Sequence, residues 1–548
     1  MRFLIPLALF VVLVSCDKDT EVPLLNVGDI LIDSAFVNGS PVANNKSISD
    51  VDYLSVRVRL KFSTKVDTSR LKKSYIYFTG GIDTAYHYSF SNDSRSLTLV
   101  PKKTISPSSS IRLVVDPGKN MGGNITTSYA YTFYTRLDTT PKFPRISDDS
   151  LLTLVQKKTF AYFWDYAHPT SGLIRERNGS GDLVTSGGSG FGLMAILTGI
   201  GRGFITRQQG FERLQKIANF LAKPATDKFH GAFPHWLNGS TGKVIPFSTK
   251  DNGGDLVETA FLMQGLLTVQ AYFKDGTVQE QALCDTIDKL WRAVEWDWYR
   301  KSNESKLYWH WSPNYTWEMN MPVSGWNEAL IVYVLAASSP THTIPKSVYT
   351  SGWARNGAMA NGKTFYGITL PLGEDRGGPL FFSHYSFLGL DPRNLSDAYA
   401  NYWTQTTAHA KINHAYCAAN PKAYRGYSSS CWGLTASDIQ NGYTASSPNN
   451  DVGVIAPTAA LSSFPYTPEE SMDALHHFYY LLGDKLWGQY GFYDAFNQST
   501  GWTASSYLAI DQGPIICMIE NYRSGLLWDL FMSSQDVQNG LTKLGFTY

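Results

Sequence analysis

The sequence predicts a mainly α-helical protein, an (α/α)6 barrel preceded by a small immunoglobulin-like β-sandwich. At 548 residues the chain is too long for one ordinary core, which favours two domains. Residues 22–140 alternate apolar and polar side chains with the period of a strand, whereas residues 145–548 repeat them with the period of a helix. The predicted helices are of two kinds, amphipathic and almost wholly apolar, as a ring of outer and inner helices requires.

The first region contains short strand patterns separated by clusters of Asn, Gly, Pro and Ser. In "LSVRVRLKF", Leu54, Val56, Val58, Leu60 and Phe62 alternate with polar residues, and "SIRLVVD" and "YAYTFYT" are further strands. No catalytic constellation occurs there. We therefore interpret this region as a spacer or docking element.

The second region begins with a helix start signal, Ser147 followed by two acids. Long helical segments follow as far as the C-terminus, among them "QGFERLQKIANFLAK", "DLVETAFLMQGLLTVQAYF", "WNEALIVYVLAAS", "SDAYANYWTQTTAHAKINHAY", "EESMDALHHFYYLLGDKLW" and "IICMIENYRSGLLWDLF". In an (α/α)6 barrel the inner helices begin at one rim, so polar residues at their starts are candidates for a site. The connecting loops are rich in Gly, Trp, Tyr and Asn, which is typical of loops that carry function.

The N-terminus reads as an export signal over residues 1–20. "MRFLIPLALFVVLVSC" has one Arg and an apolar run too short to span a membrane. The ending "LVSC" resembles a lipobox, which predicts lipidation of Cys16 and anchoring in the periplasm or at the outer-membrane surface of a Gram-negative bacterium. An ordinary signal peptide is the alternative. In such an oxidising compartment, a local disulfide between Cys417 and Cys431 is expected.

The bulk charge and the motifs exclude several classes of function. A formal net charge of +1 does not indicate a protein that binds nucleic acid through a generally basic surface. No Cys and His spacing indicates zinc, and no calcium loop appears, although calcium at an acidic loop is left open. No P-loop, nucleophile elbow or dinucleotide fingerprint occurs. We therefore expect no cofactor, no resident metal and a monomer.

The stretch "DNGGDLVE" places Asp251, Asp255 and Glu258 before an apolar helix. One interpretation is structural, with Asp255 as N-cap and Glu258 closing a capping box. The other is a site, since an earlier helix start would set all three acids on one face at i, i+4 and i+7. Residues alone leave both open.

Further acids stand at other predicted helix starts. Glu328 in "GWNEAL" precedes eight residues without a charge, so burial should raise its pKa, as a general acid needs; a first-turn contact with the helix dipole is the alternative. Asp511 stands before Gly513 and Pro514 at a rim, and Asp494 lies between aromatic residues. Glu520, inside an apolar helix, is interpreted as structural, with Arg523 as its partner.

Several acids on helix-entry loops among aromatic residues suit glycoside hydrolysis. One carboxylic acid protonates the leaving oxygen while a carboxylate activates water or attacks carbon. Aromatic faces and His side chains would hold the sugars, which makes Trp326, Tyr493 and His384 candidates for substrate binding beside Asp494.

Five separated segments resemble glycoside hydrolase family 144, a group first labelled glucoamylase-like. They are "GGSGFGLMAILTGIGRG", "DNGGDLVETAFLMQGLL", "WNEALIVYVLAASSPTH", "FFSHYSFLGLDPR" and "DQGPIICMIENYRSGLLW". The resemblance covers about residues 145–548 and implies an (α/α)6 barrel that cleaves β-1,2-glucan with inversion. It implies that Asp251, Asp255 and Glu258 are cleft residues, Glu328 the proton donor and Asp511 the base.

Several alternatives stay open at this point. The family includes endo-acting enzymes and others that release sophorose from chain ends. Another enzyme on the same barrel, such as an α-glucan hydrolase or a polysaccharide lyase, is a rival, although a lyase needs a Tyr or His base and cationic residues. A surface glycan-binding lipoprotein without turnover is the rival from a different class.

Overall fold

The computed structural model describes residues 28–548. Cys16 and the rest of the predicted export signal lie outside these residues. The chain divides into two compact units, the first ending at Leu137 and the second covering Asp138–Tyr548. None of the helices in the described part is long and apolar enough to cross a membrane.

The first unit is built from two sheets around one core. Its strands are β1 Ile32–Val37, β2 Ser40–Val42, β3 Lys46–Val51, β4 Val58–Phe62, β5 Ile76–Thr79, β6 Tyr86–Phe90, β7 Ser96–Pro101, β8 Ser110–Val115, β9 Lys119–Asn120, β10 Asn124–Ile125 and β11 Tyr129–Thr135. One sheet has the order β2-β1-β4-β7-β6 and the other β3-β11-β8-β5, while β9 pairs with β10. The pairing of β3 with β11 is parallel.

The alternating burial predicted for "LSVRVRLKF" is confirmed from Val56 onwards, since Val56 is also buried in this core. Val58, Leu60 and Phe62 of β4 are buried in the shared core. The strand begins at Val58 because the preceding residues form a bend, and Leu54 is 66% exposed. The strands predicted from "SIRLVVD" and "YAYTFYT" are confirmed as β8 and β11.

The second unit is mainly helical. Its helices are α1 Asp148–Asp165, α2 Ser186–Gly201, α3 Arg207–Ala222, α4 Leu256–Phe273, α5 Val278–Arg292, α6 Leu330–Ser338, α7 Lys346–Val348, α8 Tyr402–Ala419, α9 Pro457–Leu461, α10 Pro468–His476, α11 Gly483–Leu486, α12 Ala509–Arg523, α13 Leu526–Met532 and α14 Gln535–Leu544. Short strand pairs lie in the loops: β12 Leu183–Thr185, β13 Trp236–Asn238, β14 Val244–Ile245, β15 Gly254–Asp255, β16 Leu307–Tyr308, β17 His310–Trp311, β18 Pro322–Val323, β19 Thr364–Phe365, β20 Ile368–Thr369, β21 Ala436–Ile439, β22 Gly442–Ala445, β23 Trp487–Gly488, β24 Gly491–Phe492, β25 Phe496–Asn497 and β26 Trp502–Thr503.

The helices fall into the two kinds that the sequence predicts. α2, α4, α6 and α12 are buried along most of their length, whereas α3, α5 and α14 bury one face. Contacts link α12 to α2, α2 to α4 and α4 to α6, and α9 packs on α12. Residues 380–388, two 3₁₀ turns, bridge the remaining gap, since Ser386 Oγ accepts from the Ile331 amide and His384 bonds Ser463. The buried segments therefore close a ring.

The tightest approach in this ring is between α2 and α4. A Cβ on Gly265 would stand 2.2 Å from the carbonyl oxygen of Gly190, and one on Gly190 would stand 2.1 Å from that of Phe261. Only glycine leaves room for two helix backbones at this separation. The glycines of "SGGSGFG", which opens α2, therefore serve close helix packing.

Several helix boundaries differ from the predictions. α8 begins at Tyr402, where Asn401 caps it, and not at residue 396. The segment "IICMIENYRSGLLWDLF" is broken between α12 and α13 at Gly525, which has a φ of +74°. The segment predicted over 469–487 is α10 and α11 joined by a wider turn at His477–Leu481.

Two predicted pairings are wrong. Cys417 and Cys431 are both buried free thiols and form no disulfide. Glu520 pairs with Arg202 rather than Arg523, at 2.6 Å and 3.0 Å, and Arg523 binds Asp149 and Gln156 instead. The structural interpretation of Glu520 nevertheless agrees with its place in the core, where it is 2% exposed.

Candidate active site

The acidic stretch before α4 combines a helix cap with a contact to α2. α4 begins at Leu256, and the Asp255 carboxylate accepts the Val257 and Glu258 amides at 3.0 Å and 2.9 Å, which confirms Asp255 as N-cap. Glu258 closes no capping box. Its carboxylate reaches the start of α2, where it accepts the Gly187 amide at 2.7 Å and the Thr185 hydroxyl at 3.1 Å.

Two histidines that the sequence reasoning missed hold these carboxylates together. His235 Nδ1 is 3.1 Å from Asp255 Oδ2, and its Nε2 is 4.0 Å from Glu258 Oε1. His310 Nε2 is 3.1 Å from Asp251 Oδ2 and 3.6 Å from Asp255 Oδ2. The three acids thus meet although α4 does not extend back to Asp251, so the helical-face explanation is wrong. We call these five residues the acidic cluster.

The charges in the acidic cluster shift one another's pKa values. Burial lowers the pKa of His235, but Glu258 and Asp255 outweigh it and raise the value to about 9. Burial raises the pKa of Asp255, but His235 and His310 outweigh it and hold the value below normal. The pKa of Glu258 stays raised, chiefly by burial, despite His235. Asp255 and His235 are therefore an ion pair at neutral pH.

The acidic cluster has the composition of a cation site. One atom each from His235, Asp251 and Asp255 lie within 4.8 Å of one another. The Asp255 oxygens are, however, already engaged by two backbone amides, His235 and the Trp309 indole N–H at 3.1 Å. The protein's own donors thus satisfy the carboxylate that a cation would need.

Glu328 lies in the turn before α6 and is 9% exposed. Burial is the largest cause that raises its pKa to about 7, and the negative charges of Glu258 and Asp255 add to it. A carboxyl with this pKa holds its proton near neutral pH, as a general acid must. Glu328 precedes the helix, so it is not a first-turn residue of α6.

A second pair of carboxyls lies at the start of α12. Asp511, in the first turn, is 1% exposed, and Asp494 is 3% exposed. Asp494 Oδ2 accepts the Asp438 amide at 2.7 Å. Burial and then Asp494 raise the pKa of Asp511 well above normal, while burial, ahead of Asp438, raises that of Asp494 to about 7. We call Asp494 and Asp511 the carboxyl pair.

An ion pair flanks the carboxyl pair. Arg177 Nη1 lies 3.1 Å from Asp438 Oδ1, and its Nε lies 2.9 Å from Glu176 Oε2. Ser506 donates to Asp438 Oδ2 at 2.5 Å. The sequence did not predict a role for Arg177, Asp438 or Glu176, because Asp438 lies 261 residues from Arg177 in the chain.

Tyr385 lies near Glu258 of the acidic cluster, near Glu328 and near Asp511 of the carboxyl pair. Its ring stacks on Phe381 at 5.0 Å and meets Phe261 edge-on at 5.7 Å. Burial raises its pKa well above normal, and Asp511, Glu328 and Glu258 raise it further. Asp511, Glu328 and Glu258 therefore all lie near enough to this phenol to act on its charge.

A cavity of about 340 Å³ adjoins Glu258 and His235 of the acidic cluster. Phe247, which is 50% exposed, stacks against His235 there with ring centroids 4.3 Å apart. The lining residues are Glu176, Arg177, Thr185, His235, Trp236, Phe247, Glu258, Tyr443, Leu508 and Ile510. A larger cavity, about 570 Å³, lies between α4, α5 and the start of α14, and none of the predicted site residues lines it.

Of the predicted site residues, Glu258 alone is among those that line this cavity. Three of the predicted sugar contacts pack elsewhere. His384 is buried in the ring, where it bonds Ser463 at 3.0 Å and burial lowers its pKa to about 3. Tyr493 is half-buried against Tyr507. Trp326 is 6% exposed and stacks between Phe387 and Tyr402. Their side chains pack the ring and its loops.

The chain is similar to several known proteins. The Glycoamylase family model, described as "Putative glucoamylase", matches residues 320–535. A relative from Parabacteroides distasonis is named exo β-1,2-glucooligosaccharide sophorohydrolase (non-reducing end). It is 48% identical over 421 residues, which are 73% of this chain and 58% of the relative. This chain therefore matches little more than half the length of that relative.

Two solved structures are similar over most of their length. The endo-β-1,2-glucanase from Chitinophaga pinensis, solved with sophorotriose and glucose, is 56% identical, with a TM-score of 0.72 over 74% of this chain and 99% of that chain. A β-1,2-glucanase from Parabacteroides distasonis is 38% identical, with a TM-score of 0.71 over 95% of this chain and 74% of that chain. The five sequence segments and these matches agree, and the chain belongs to the glucoamylase-like family, glycoside hydrolase family 144.

Proposed function

We propose that this protein is a glycoside hydrolase that cleaves β-1,2-glucan within the chain, with inversion at the anomeric carbon. The observation that carries the proposal is a set of buried carboxyls with raised pKa values, Glu328 and the carboxyl pair. Glu328 and Asp511 both lie near enough to Tyr385 to raise its pKa, as does Glu258, which lines the cavity. The relatives named as acting on β-1,2-glucan and its oligosaccharides supply the substrate class.

In the proposed mechanism Glu328 is the general acid. Its pKa of about 7 lets it hold a proton near neutral pH and donate it to the glycosidic oxygen as the bond breaks. Once ionised, Glu328 faces the negative charges of Glu258 and Asp255, which favour its reprotonation before the next turnover.

The carboxyl pair supplies the base. Two adjacent buried carboxyls do not both ionise, so the pair shares a proton and titrates as one unit. Asp494 raises the pKa of Asp511, whereas Asp511 lowers that of Asp494, so Asp511 holds the shared proton at rest. When this proton passes to Asp494, ionised Asp511 accepts a proton from water, directly or through a bridging hydroxyl. Water then attacks the face of the sugar opposite the departing group, which gives inversion.

The acidic cluster binds and orients the sugar in this proposal. Glu258 and His235 line the cavity, where a carboxylate accepts from sugar hydroxyls and an imidazolium donates to them. Phe247 and Trp236 offer apolar ring surface to the sugar faces. Asp255 and Asp251 act through the histidines, whose charge and orientation they hold.

A time course of products tests this function. The protein, expressed from residue 20, is incubated with linear β-1,2-glucan and with soluble starch, and products are sized by chromatography. We expect a ladder of β-1,2-linked oligomers. Sophorose alone from the start would instead establish the exo-acting alternative, which the name of the 48%-identical relative favours. Products from starch only would overturn the substrate assignment.

Two variants test the acid. Glu328→Gln should lower turnover by about a thousandfold or more, since it removes the transferable proton. Glu280→Gln is the matched control, because Glu280 is a buried carboxyl in the capping box of the outer helix α5, where Gln also serves. Glucan binding without turnover by the unaltered protein would favour the binding-lipoprotein alternative.

The remaining architecture is proposed on sequence grounds together with the fold. We propose an (α/α)6 barrel for the ring of buried segments and an immunoglobulin-like accessory module for the two-sheet unit. We further propose a monomer anchored through lipidated Cys16. Replacing Cys16 by Ser should move the protein from the membrane fraction to the soluble fraction after export, whereas unchanged fractionation would contradict the anchor.

A further inference from the structure

A second cavity, also about 340 Å³, lies at the surface beside Trp298, which is 41% exposed. It is lined by Glu295, Asp297, Trp298, Ser302, Asn303, Trp317 and His342, none of which lines the candidate active site. We call it the tryptophan cavity. A large aromatic side chain exposed in a concave, otherwise polar setting is a common mark of a binding site.

Aromatic neighbours hold the Trp298 ring in place. His230 stacks on it with ring centroids 3.7 Å apart and an interplanar angle of 14°. Trp311 meets it edge-on at 6.0 Å, and Trp317 lies at 6.5 Å with a tilt of 33°. A platform fixed in this way costs little side-chain entropy when a ligand stacks on it.

Hydrogen-bonding groups flank the platform. Glu295 Oε2 lies 2.9 Å from His230 Nδ1, and Asp297 Oδ1 lies 3.1 Å from His342 Nδ1. A carboxylate has about four acceptor positions, so each keeps capacity for a ligand's hydroxyl donors. The cavity therefore offers both an apolar face and oriented acceptors.

The turn that completes the cavity is strained. Lys301, Ser302 and Asn303 have φ values of 45°, 64° and 66°, three successive non-glycine residues in the left-handed region. Arg300 holds the turn, since its guanidinium donates to the Asn303 carbonyl at 2.9 Å and the Glu304 carbonyl at 3.0 Å. Such strain is typical of ligand-binding segments, and here it presents the Ser302 hydroxyl and the Asn303 amide.

Strand β17 separates this cavity from the acidic cluster. Successive side chains of a strand point to opposite faces. His310 turns towards Asp251 and Asp255, whereas the Trp311 ring meets Trp298 and His230. The tryptophan cavity is thus a separate site on the other face of one short strand.

We propose that the tryptophan cavity is a second carbohydrate-binding site, which holds a stretch of glucan outside the catalytic cavity. The apolar C–H faces of a sugar ring fit the Trp298 platform, and its hydroxyls match the carboxylates, the Ser302 hydroxyl and the Asn303 amide. That the sugar chain is β-1,2-glucan rests on the proposed function. A long chain occupies both sites, which raises its effective concentration at the catalytic one.

Binding by the Glu328→Gln protein tests the site without consuming the glucan. In native gels that contain β-1,2-glucan or soluble starch, Trp298→Ala should weaken retardation by β-1,2-glucan about fivefold or more, as loss of an aromatic anchor does. Asp297→Ala should weaken it about twofold. Tyr522→Ala is the control, since Tyr522 is 43% exposed on α12, away from both cavities, and should change nothing.

The inference would be overturned if Trp298→Ala and Asp297→Ala were both retarded as strongly as the Glu328→Gln protein that carries neither change. Thermal unfolding of each variant separates lost binding from lost folding, and Asp297→Ala carries the test if Trp298→Ala does not fold. If the unaltered protein cleaves no β-1,2-glucan, the proposed function fails. The gels still decide this inference, because weakened retardation by either polymer supports a carbohydrate site and unchanged retardation overturns it.

Kinetics of the active protein provide a second readout. Trp298→Ala should raise KM for long β-1,2-glucan several-fold, leave kcat unchanged, and leave both constants unchanged for a short oligosaccharide that fills only the catalytic cavity. A lower kcat on the short oligosaccharide would place Trp298 in the catalytic site and overturn its role as a separate one.

Discussion

Asp494 and Asp511 adjoin one another in the interior, and three of their four carboxyl oxygens have no hydrogen-bond partner among the described residues. Unpartnered buried carboxylates are costly, so a proton shared between the two is the stable arrangement. This makes the acid limb of the activity profile a property of the pair. Asp511 alone does not set it.

Asp494→Asn should uncouple this pair. Asn retains an acceptor for the Asp438 amide and offers its side-chain N–H₂ to Asp511, which favours ionised Asp511 and lowers its pKa. The acid limb of kcat/KM against pH should move to lower pH by about one unit or more. A variant whose acid limb stays in place would show that Asp511 is not the base.

Glu328 should limit both activity and stability at high pH. Its pKa rises from 4.5 to about 7 on folding, so the folded protein holds this proton more tightly than the unfolded chain. The resulting stability is complete below pH 4.5 and is lost as the pH rises through 7. The basic limb of kcat/KM should accordingly fall near pH 7.

Glu328→Gln should remove this loss of stability at high pH, and it should also remove the activity. In urea unfolding, the free energy of unfolding of the variant should exceed that of the unaltered protein by up to ~3 kcal/mol at about pH 8 and match it near about pH 4. A Gln variant that is no more stable at the higher pH would contradict the buried, proton-retaining Glu328.

Arg202→Met should strongly destabilise the second unit. It leaves the Glu520 carboxylate, 2% exposed, without its guanidinium, at a cost of about 3–5 kcal/mol in the free energy of unfolding. Arg393→Met breaks an exposed pair with Asp391 and should cost less than about 1 kcal/mol. Equal losses in the two variants would mean that the buried pair contributes no more than a surface one.

The four cysteines of residues 28–548 should titrate as thiols. Cys284, Cys417, Cys431 and Cys517 are buried, so they should be unreactive in the native protein and all react after denaturation without reductant. Thermal unfolding should be the same with and without reductant. Two reactive thiols in place of four would restore the expected Cys417–Cys431 bond.

The sequence predicted contacts between residues that are near in the chain better than contacts between residues that are far apart. Asp255 was readable as an N-cap because the amides it accepts lie two and three residues away. Its partner His235, 20 residues earlier, carries no such mark, and neither does Trp309, 54 residues later. The same limit explains why Arg523, near in sequence, was chosen for Glu520 when Arg202 from another helix is the partner. For Glu328, the uncharged run that follows it predicted a buried carboxyl with a raised pKa, and the family resemblance added the role of proton donor.

The close contact between Gly190 and Gly265 fixes the positions of the residues that α2 and α4 bring to the acidic cluster. α2 carries the amide that receives Glu258, and α4 carries Asp255 and Glu258 themselves. With the two backbones in direct contact, these helices move as one body, so the acidic cluster is assembled at folding and needs no rearrangement at each encounter with sugar. Sequence variation that retunes chain-length preference should therefore collect in the loops, while residues 190 and 265 stay glycine.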